Sequence, residues 1–338
     1  MATINDVAKK AGVSITTVSY VITGKRYVSD DLKERVRQAM KETGYRPNNL
    51  ARSLRVGRTD TIGLIIPDSS NLFFAEVSRN IEDNGFKNGY AVFLCNSDDQ
   101  VDKQTEYLEV LISKQVDGII FTSVSNNRPN LDKLIDANIP FVIVDREEVE
   151  GIADVVLVDN YSGGFKAVQH LIDIGHRKIG CISGPSQSNP SAERQKAYLH
   201  CLRENRCEFT EGYIQSGDFR YKSGEVAMDK LLSLNNPPTA VFVCNDMMAI
   251  GAFRSIQNHG LKIPEDISIV GFDNIPIGEA ISPALTTVAQ PIKEIAEKSM
   301  SILYKRMRGE IKGGFERIVL DPELVLRDST RSPFAKGE

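Results

Sequence analysis

From Thr61 onward, short apolar runs alternate with amphipathic segments, and no other feature of the sequence constrains the fold as strongly. The apolar runs predict strands at residues 62–66, 92–95, 118–122, 141–144, 155–158, 179–183, 240–244 and 267–271. Periodic patterns between them predict helices near residues 72–88, 102–114, 130–138, 161–175, 191–206, 221–234 and 246–259. Apolar strands joined by crossover helices are typical of parallel sheets. The sequence therefore predicts an α/β body of two lobes in tandem, with a cleft between them.

The first 46 residues follow a different pattern, which predicts three short helices and no strand. Thr3 is the predicted cap of the first helix, and Asp6 stands at the capping-box position. Ser14 and Ser29 are the predicted caps of the second and third helices, and Gly44 ends the third. We therefore expect a small all-helical domain ahead of the α/β body.

The charge is distributed unevenly along the chain. Residues 1–60 carry 12 Lys and Arg against 6 Asp and Glu, a net charge of +6. The remaining residues then carry −10, because the whole chain of 338 residues has a net charge of −4. A basic head on an acidic body indicates that the head meets a polyanion and the body does not.

Residues 15–22 place Ser and Thr hydroxyls on one helix face and branched apolar side chains on the other. A recognition helix needs this division, because its apolar face anchors it while its polar face enters the major groove. An ordinary surface helix would show the same pattern, so the helix alone leaves both interpretations open. The basic charge and the spacing Ala8-x-x-Ala11-Gly12-Val13-Ser14 favour DNA binding.

Two longer motifs carry a resemblance to a known family. The stretch 2–22 resembles the headpiece signature of the LacI family of bacterial regulators, and 46–55 (Arg-Pro-Asn-Asn-Leu-Ala-Arg-Ser-Leu-Arg) resembles its hinge helix. The resemblance extends over essentially the full length and implies a sequence-specific transcriptional repressor. It implies a helix-turn-helix headpiece at 1–46, a hinge at 47–59, an effector-binding domain at 60–330 and a tail at 331–338. Within that domain it implies one lobe at about 60–160 with 291–322, and another at 161–290 with 323–330.

The resemblance also implies which residues contact DNA. Ile15, Thr16, Tyr20, Arg26, Leu54 and Arg55 match base-contacting positions, and Ser14, Thr17, Tyr45 and Arg52 match phosphate contacts. Ile15 cannot form a side-chain hydrogen bond to a base, so we expect it to contact a thymine methyl group. Leu54 matches an apolar wedge that kinks the minor groove, although packing alone would also explain a leucine there. The hinge is too short for a stable isolated helix, and we expect it to fold on the operator.

Ten polar and aromatic residues stand mostly at or just after the carboxyl ends of predicted strands: Asn71, Phe73, Phe74, Asp145, Arg146, Arg194, Phe219, Asn245, Asp273 and Gln290. Ligands gather at this edge of open α/β sheets. Such side chains suit a sugar, whose hydroxyls pair with polar groups and whose C–H faces pack on aromatic rings. Taken singly, Asn71, Phe73 and Asp246 are better explained as helix caps or core.

The resemblance makes the effector more specific. These ten residues match the pocket of ribose-binding proteins position by position, which purine-responsive and carbon-control relatives generally lack. It implies a homodimeric repressor of a pentose operon that binds double-stranded operator DNA, with ribose as the favoured effector. Relatives include ligand-released and ligand-activated repressors and some activators, and we expect release here, since sugar catabolism is usually induced by its sugar. Another pentose, a nucleoside or a purine is the alternative effector. Leu72 replaces a common proline, and Ser301 replaces the arginine of carbon-control regulators, so we do not expect a phosphocarrier protein as co-effector.

Other classes of protein lack support in the sequence. No Gly-rich nucleotide motif follows a strand, and the histidines show no catalytic or metal spacing, so we expect neither an enzyme nor a cofactor. The five cysteines, Cys95, Cys181, Cys201, Cys207 and Cys244, include no Cys-x-x-Cys pair, and we expect no metal site. A transport binding protein would share the cleft but not the headpiece. Without a signal peptide or membrane span, we expect a cytoplasmic protein that joins the nucleoid when bound to its operator.

Overall fold

The computed structural model of the protein describes residues 2–24, 26–45, 57–122, 128–145 and 151–334. Its chain divides into two compact units, Met1–Thr59 and Asp60–Glu338. The first unit is helical and the second contains two parallel sheets, so the predicted α/β fold class with a helical headpiece is confirmed. None of the helices in the described ranges is long and apolar enough to span a bilayer.

The first unit contains the helices α1 (Ile4–Ala11), α2 (Ile15–Thr23) and α3 (Asp30–Thr43). The Thr3 hydroxyl accepts from the Asp6 amide at 3.4 Å, and the Thr3 amide donates to the Asp6 carboxylate at 2.8 Å, which completes the predicted capping box. The Ser14 hydroxyl caps α2 by accepting from the Thr17 amide at 3.0 Å. Ser29 precedes α3 as predicted, but its side chain makes no capping bond.

A small core holds the three helices together. It consists of short side chains that lie at helical spacing: Val7, Ala8, Ala11, Val18, Val36 and Ala39. Arg35 links α3 to α1, since its guanidinium donates to the carbonyl of Ala11 at 2.7 Å. This carbonyl lies at the end of α1 and has no partner within the helix. Gly12 follows at a φ of 64°, a left-handed conformation that glycine adopts without strain.

Two six-stranded sheets form the second unit, and each defines a lobe. The first sheet has the order β11-β5-β4-β3-β1-β2 and the second the order β12-β10-β9-β8-β6-β7. The first-sheet strands are β1 (Thr61–Ile66), β2 (Ala91–Asn96), β3 (Gly118–Phe121), β4 (Phe141–Val144), β5 (Asp154–Val158) and β11 (Arg317–Leu320). The second-sheet strands are β6 (Ile179–Ser183), β7 (Ile214–Ser216), β8 (Ala240–Val243), β9 (Ser268–Asp273), β10 (Thr286–Ala289) and β12 (Glu323–Val325). Pairing is parallel except between β10 and β12.

Helices cover the sheets because each sheet is apolar on both faces. They are α4 (Leu72–Lys87), α5 (Val101–Ser113), α6 (Arg128–Asp136), α7 (Asn160–Asp173), α8 (Asn189–Glu204), α9 (Tyr221–Leu232), α10 (Asp246–Asn258), α11 (Pro276–Ala280) and α12 (Ile292–Met307). The chain enters the second lobe after β5, returns through α12 to β11, and crosses again to β12. These crossings bring the carboxyl ends of strands from both sheets to one cleft.

The sequence patterns missed the shortest elements. Strands β7, β11 and β12 have only three or four residues with mixed exposure, so none of them contains more than three consecutive apolar residues. Strand β10, which buries the polar Thr286 and Thr287, was not predicted either. Arg331, at which the tail was expected to begin, is held at both backbone groups by the Ser268 hydroxyl, at 3.0 and 3.1 Å. The ordered body therefore includes Arg331.

Helices α9 and α10 approach so closely that a side chain at their contact is excluded. A Cβ atom at Gly224 would lie 2.0 Å from the carbonyl oxygen of Met248. We expect Gly224→Ala to lower the free energy of unfolding by about 1–3 kcal/mol, because the backbones must separate. Gly313→Ala is the control, since nothing lies within 4 Å of its Cβ, and its effect should stay within about 0.5 kcal/mol. Equal urea midpoints for the two variants would contradict this packing.

Candidate nucleic-acid interface and ligand cleft

The amino end of α2 presents the predicted base-contacting residues to solvent. Ile15 and Thr16 are exposed, whereas Val18, on the opposite face, is fully buried in the headpiece core. The Arg26 guanidinium lies 5.5 Å from the ring centroid of Tyr20, a cation–π contact that holds the two predicted base contacts side by side. The helix therefore has the division into an anchored face and an open face that groove recognition needs.

The predicted phosphate contacts are placed unevenly. The Ser14 and Thr17 hydroxyls lie 2.9 Å apart at the start of α2, where backbone N–H groups and the helix dipole favour an anion. Tyr45 is half-buried against the headpiece core. Arg52, Leu54 and Arg55, with most of the predicted hinge, lie outside the described residues.

Nine of the ten predicted effector residues line a single cleft of about 590 Å³ between the lobes: Asn71, Phe73, Phe74, Asp145, Arg194, Phe219, Asn245, Asp273 and Gln290. The tenth, Arg146, lies outside the described residues. Asp145 follows β4, Asn245 follows β8 and Asp273 ends β9, so strand ends position these three. The cleft thus brings together residues separated by more than 200 positions in the sequence.

Three of these residues adopt a backbone conformation that is unusual for side chains larger than glycine. The φ angles are 66° at Asp145, 66° at Phe219 and 117° at Asp273. Positive φ costs a non-glycine residue about 1–3 kcal/mol and persists only where the surroundings enforce it. At Phe219 the Asn245 side-chain amide donates to the backbone carbonyl at 3.0 Å. Such strain clusters at binding sites, because it aims side chains that a relaxed loop would turn away.

Aromatic rings form the apolar part of the cleft. Phe73 and Phe74 meet edge to face, with ring centroids 5.1 Å apart. Asn71 accepts from the Phe73 amide at 3.0 Å as the cap of α4, so its interpretation as a helix cap is correct and compatible with its place in the cleft. Phe219 presents a third ring from the second lobe. Rings from both lobes can therefore contact two faces of one small ligand.

Arg194 forms the polar centre of the second lobe and is only 3% exposed. Its Nε donates to Asn160 Oδ1 at 2.8 Å and its Nη1 donates to the Cys244 carbonyl at 2.5 Å. The guanidinium also lies 3.6 Å from the centroid of the Phe272 ring. Asn160 was missed by the sequence analysis, although it follows a strand as the predicted residues do. It fixes the orientation of Arg194 before any ligand is present.

Two carboxyl groups of the second lobe, those of Asp246 and Asp273, are almost completely buried. Asp273 accepts from Gln290 Nε2 at 2.7 Å and lies 3.7 Å from Arg194 Nη1. Asp246 accepts from the Thr287 hydroxyl at 2.6 Å and from the Ile275 amide at 2.9 Å. Burial raises the pKa of Asp273 to about 8. The Arg194 guanidinium lowers this pKa, and repulsion from Asp246 offsets part of that lowering. Burial also raises the pKa of Asp246, to about 7.

The remaining polar groups suit hydroxyl recognition. Gln290 Oε1 is buried without a hydrogen-bond partner within the described ranges, so it can accept a bond from a ligand. A protonated Asp273 could donate as well as accept, as a sugar hydroxyl does. No cluster of His, Cys, Asp or Glu able to hold a metal ion occurs in the part of the chain that the structure describes. The arrangement can bind a small polyhydroxylated molecule between aromatic rings.

Charged residues that the sequence analysis did not predict surround the mouth of the cleft. They are Asp68, Asp98, Asp99, Asp218, Arg220 and Lys222. Asp68 Oδ2 lies 3.2 Å from Arg220 Nη2, so an ion pair joins the loops that follow β1 and β7. This contact joins loops from opposite lobes, and no local sequence pattern predicts it.

A helix-turn-helix unit followed by two lobes around a ligand cleft defines a class, the ligand-responsive DNA-binding regulators. Residues 3–48 match the family model described as bacterial regulatory proteins, lacI family. Residues 168–330 match the model of a periplasmic binding protein-like domain. A curated relative, the HTH-type transcriptional repressor PurR of Vibrio vulnificus (strain CMCP6), is 39% identical over 335 residues, which cover 98% of this chain and 99% of the relative. The chain belongs to the lacI family and is a DNA-binding transcriptional repressor.

Solved structures agree with this assignment. The lac repressor dimer bound to operator and the anti-inducer ONPF superposes with a TM-score of 0.86 at 27% identity, over 98% of this chain and 99% of that one. A LacI family regulator from Enterococcus faecium with bound ribose superposes with a TM-score of 0.73 at 31% identity, over 80% of this chain and 99% of that one. Similarity to the first structure includes the headpiece, since it spans nearly the whole chain.

The raised pKa of Asp273 predicts a stability effect that depends on pH. The unfolded chain loses this proton near the ordinary pKa of 3.8, whereas the folded chain keeps it until the pH approaches 8. This residue therefore lowers the free energy of unfolding as pH increases, by at most about 1.4 kcal/mol per pH unit. Asp273→Asn removes the titration, so its stability relative to the native protein should rise between pH 5 and 8.

Urea unfolding at several pH values measures this difference. Asp83→Asn, which removes a half-exposed carboxylate of α4, is the control for loss of a charge. A difference between Asp273→Asn and the native protein that stays constant over this pH range would show that the proton is not bound in the folded state.

Proposed function

We propose that this repressor controls a pentose-utilisation operon and that a neutral sugar, with ribose favoured, binds in the cleft as its effector. The observation that supports the proposal is the convergence of nine residues of a ribose-type pocket on one cleft. Asp145, Asp273 and Gln290 provide polar groups for neighbouring hydroxyls, and Phe73 and Phe219 provide surfaces for the C–H faces. The similarity to a solved regulator with bound ribose adds support.

A purine is the second candidate effector. Several curated relatives at 37–39% identity carry the name PurR, and a purine ring could also stack between the aromatic side chains. The buried carboxyl groups favour the sugar, because a ligand with many hydroxyls can donate to Asp145 and Asp273 together. The two candidates therefore differ in the number of hydrogen bonds they can donate within the cleft.

On DNA, we propose that Ile15, Thr16, Tyr20 and Arg26 contact bases while Ser14, Thr17, Tyr45 and Arg52 contact phosphates. Leu54 and Arg55 are proposed to enter the minor groove at the operator centre. A homodimer would place two headpieces on a near-palindromic operator, with half-sites about one helical turn apart. The lac repressor solved as a dimer on its operator supports this arrangement.

The proposed control is allosteric and requires no catalytic step. A ligand that touches both lobes favours one angle between them, and that angle sets the distance between paired hinges. Sugar catabolism is usually induced by its own sugar, so we propose that the effector releases the repressor from DNA.

Isothermal titration of the purified full chain tests the effector directly. We expect binding heat with ribose, weaker heat with other pentoses and none with purine bases. Heat with a purine base and none with ribose would overturn the sugar assignment and support the second candidate.

Arg194→Ala tests the cleft. Loss of its charge-assisted bonds should weaken ribose binding by about 10- to 150-fold and abolish release from the operator, while operator affinity without ligand stays unchanged. Arg203→Ala, on the exposed end of the same helix, should behave as the native protein. Loss of operator binding in Arg194→Ala would mean that Arg194 is structural; Phe219→Ala then tests the cleft without unpairing a buried charge.

A further inference from the structure

The loop that follows β1 holds Asp68 in a fixed orientation at the mouth of the cleft. Its Oδ1 accepts from the Ser70 amide at 2.9 Å and from the Ser70 hydroxyl at 2.6 Å, and its Oδ2 points to Arg220. Burial alone would raise the pKa of Asp68, but the bonds from Ser70 and the Arg220 guanidinium lower it below the ordinary value. The carboxylate is therefore ionised throughout the neutral range.

Two hydrogen bonds hold the backbone of Arg220 on the opposite lobe. Its amide donates to Asp218 Oδ1 at 2.9 Å, and its carbonyl accepts from the Ser223 hydroxyl at 2.8 Å at the start of α9. The preceding residue, Phe219, packs its ring against Gly184, where a Cβ atom would come within 2.2 Å of it. The backbone that carries Arg220 is therefore the same rigid loop that presents an aromatic ring to the cleft.

The ion pair joins the two lobes rather than two parts of one lobe. Asp68 lies three residues before Asn71, and Arg220 lies next to Phe219, so each partner is adjacent to a residue that lines the cleft. Other exposed ion pairs occur within the described residues. The pair of Arg79 with Asp83, for example, lies within a single helix and does not change when the lobes move.

We infer that Asp68 and Arg220 form a latch that fastens the two lobes across the mouth of the cleft and thereby strengthens effector binding. This inference rests on the proposed function, because it assigns a positioning role at the same cleft. Opening the lobes separates the pair, whereas closure restores it. The latch therefore contributes to the closed state in the absence of ligand and slows ligand escape when the cleft is filled.

The size of the effect follows from the environment of the pair. The Asp68 side chain is 25% exposed and that of Arg220 is 65% exposed, so solvent screens their attraction. Exposed ion pairs of this kind change an equilibrium by roughly two- to fivefold. Screening by salt should remove most of that contribution when ionic strength rises from about 0.05 M to about 1 M.

A double-mutant cycle on the full chain tests the latch. Asp68→Asn keeps an acceptor for Ser70 and removes the charge, and Arg220→Gln removes the other charge. Each variant should weaken ribose binding by about two- to fivefold in titration at low salt, and the double variant should lose no more than either single variant. Arg79→Gln, which breaks an ion pair inside α4, should bind ribose as the native protein does. Additive losses, or no loss, would overturn the inference.

Hydrogen exchange without ligand separates failure of the latch from failure of the proposed function. Asp145 and Gln290 line the cleft and belong to neither loop of the ion pair, and their amides should exchange faster in Asp68→Asn and Arg220→Gln than in Arg79→Gln or the native protein. The difference should vanish at high salt. Equal exchange in all four proteins at low salt would overturn the latch even if ribose binds. Faster exchange without any ribose heat would support the latch and reject ribose.

Discussion

The ligand cleft depends on the contacts that the buried guanidinium of Arg194 makes with its neighbours. Removing an arginine from water costs several kcal/mol unless its donors find partners and its charge is balanced. Asn160 and the Cys244 carbonyl accept its hydrogen bonds, the face of Phe272 lies against its charge, and the carboxyl group of Asp273 lies 3.7 Å from Nη1. One side chain therefore connects the carboxyl ends of β8 and β9 with the start of α7.

The same region couples the cleft to the crossings between lobes. Gln290 donates to Asp273 and precedes α12, through which the chain returns from the second sheet to the first. Asn160 lies where the chain enters the second lobe after β5. A ligand that contacts these residues would touch the segments that cross between the lobes. Under the proposed allosteric control, this contact gives the effector a way to change the angle between the lobes.

The sequence predicted the central elements more accurately than the margins. Strands β4 and β6 occur at their predicted bounds, because four or five consecutive buried apolar residues leave no other assignment. The edge strands β7, β11 and β12 were not predicted, since each has only three or four residues and most of them are partly or fully exposed. Nine predicted effector residues share a cleft, because residues after parallel strands lie at one edge of each sheet and these edges of the two sheets face the same cleft. Asn160 also follows a strand, but its side chain accepts a hydrogen bond from Arg194.

The sequence by itself determined the local features: the caps at Thr3 and Ser14, the alternation of strands and helices, and the polar residues at strand ends. These depend on neighbours within a few positions and on the pleat or turn they occupy. Only the tertiary structure decided that Asp246 bonds Thr287, that Arg194 stacks on Phe272, and that Asp68 meets Arg220, 152 positions away. Those contacts depend on strand order and on the closure of two lobes, and periodicity along the chain contains no information about either.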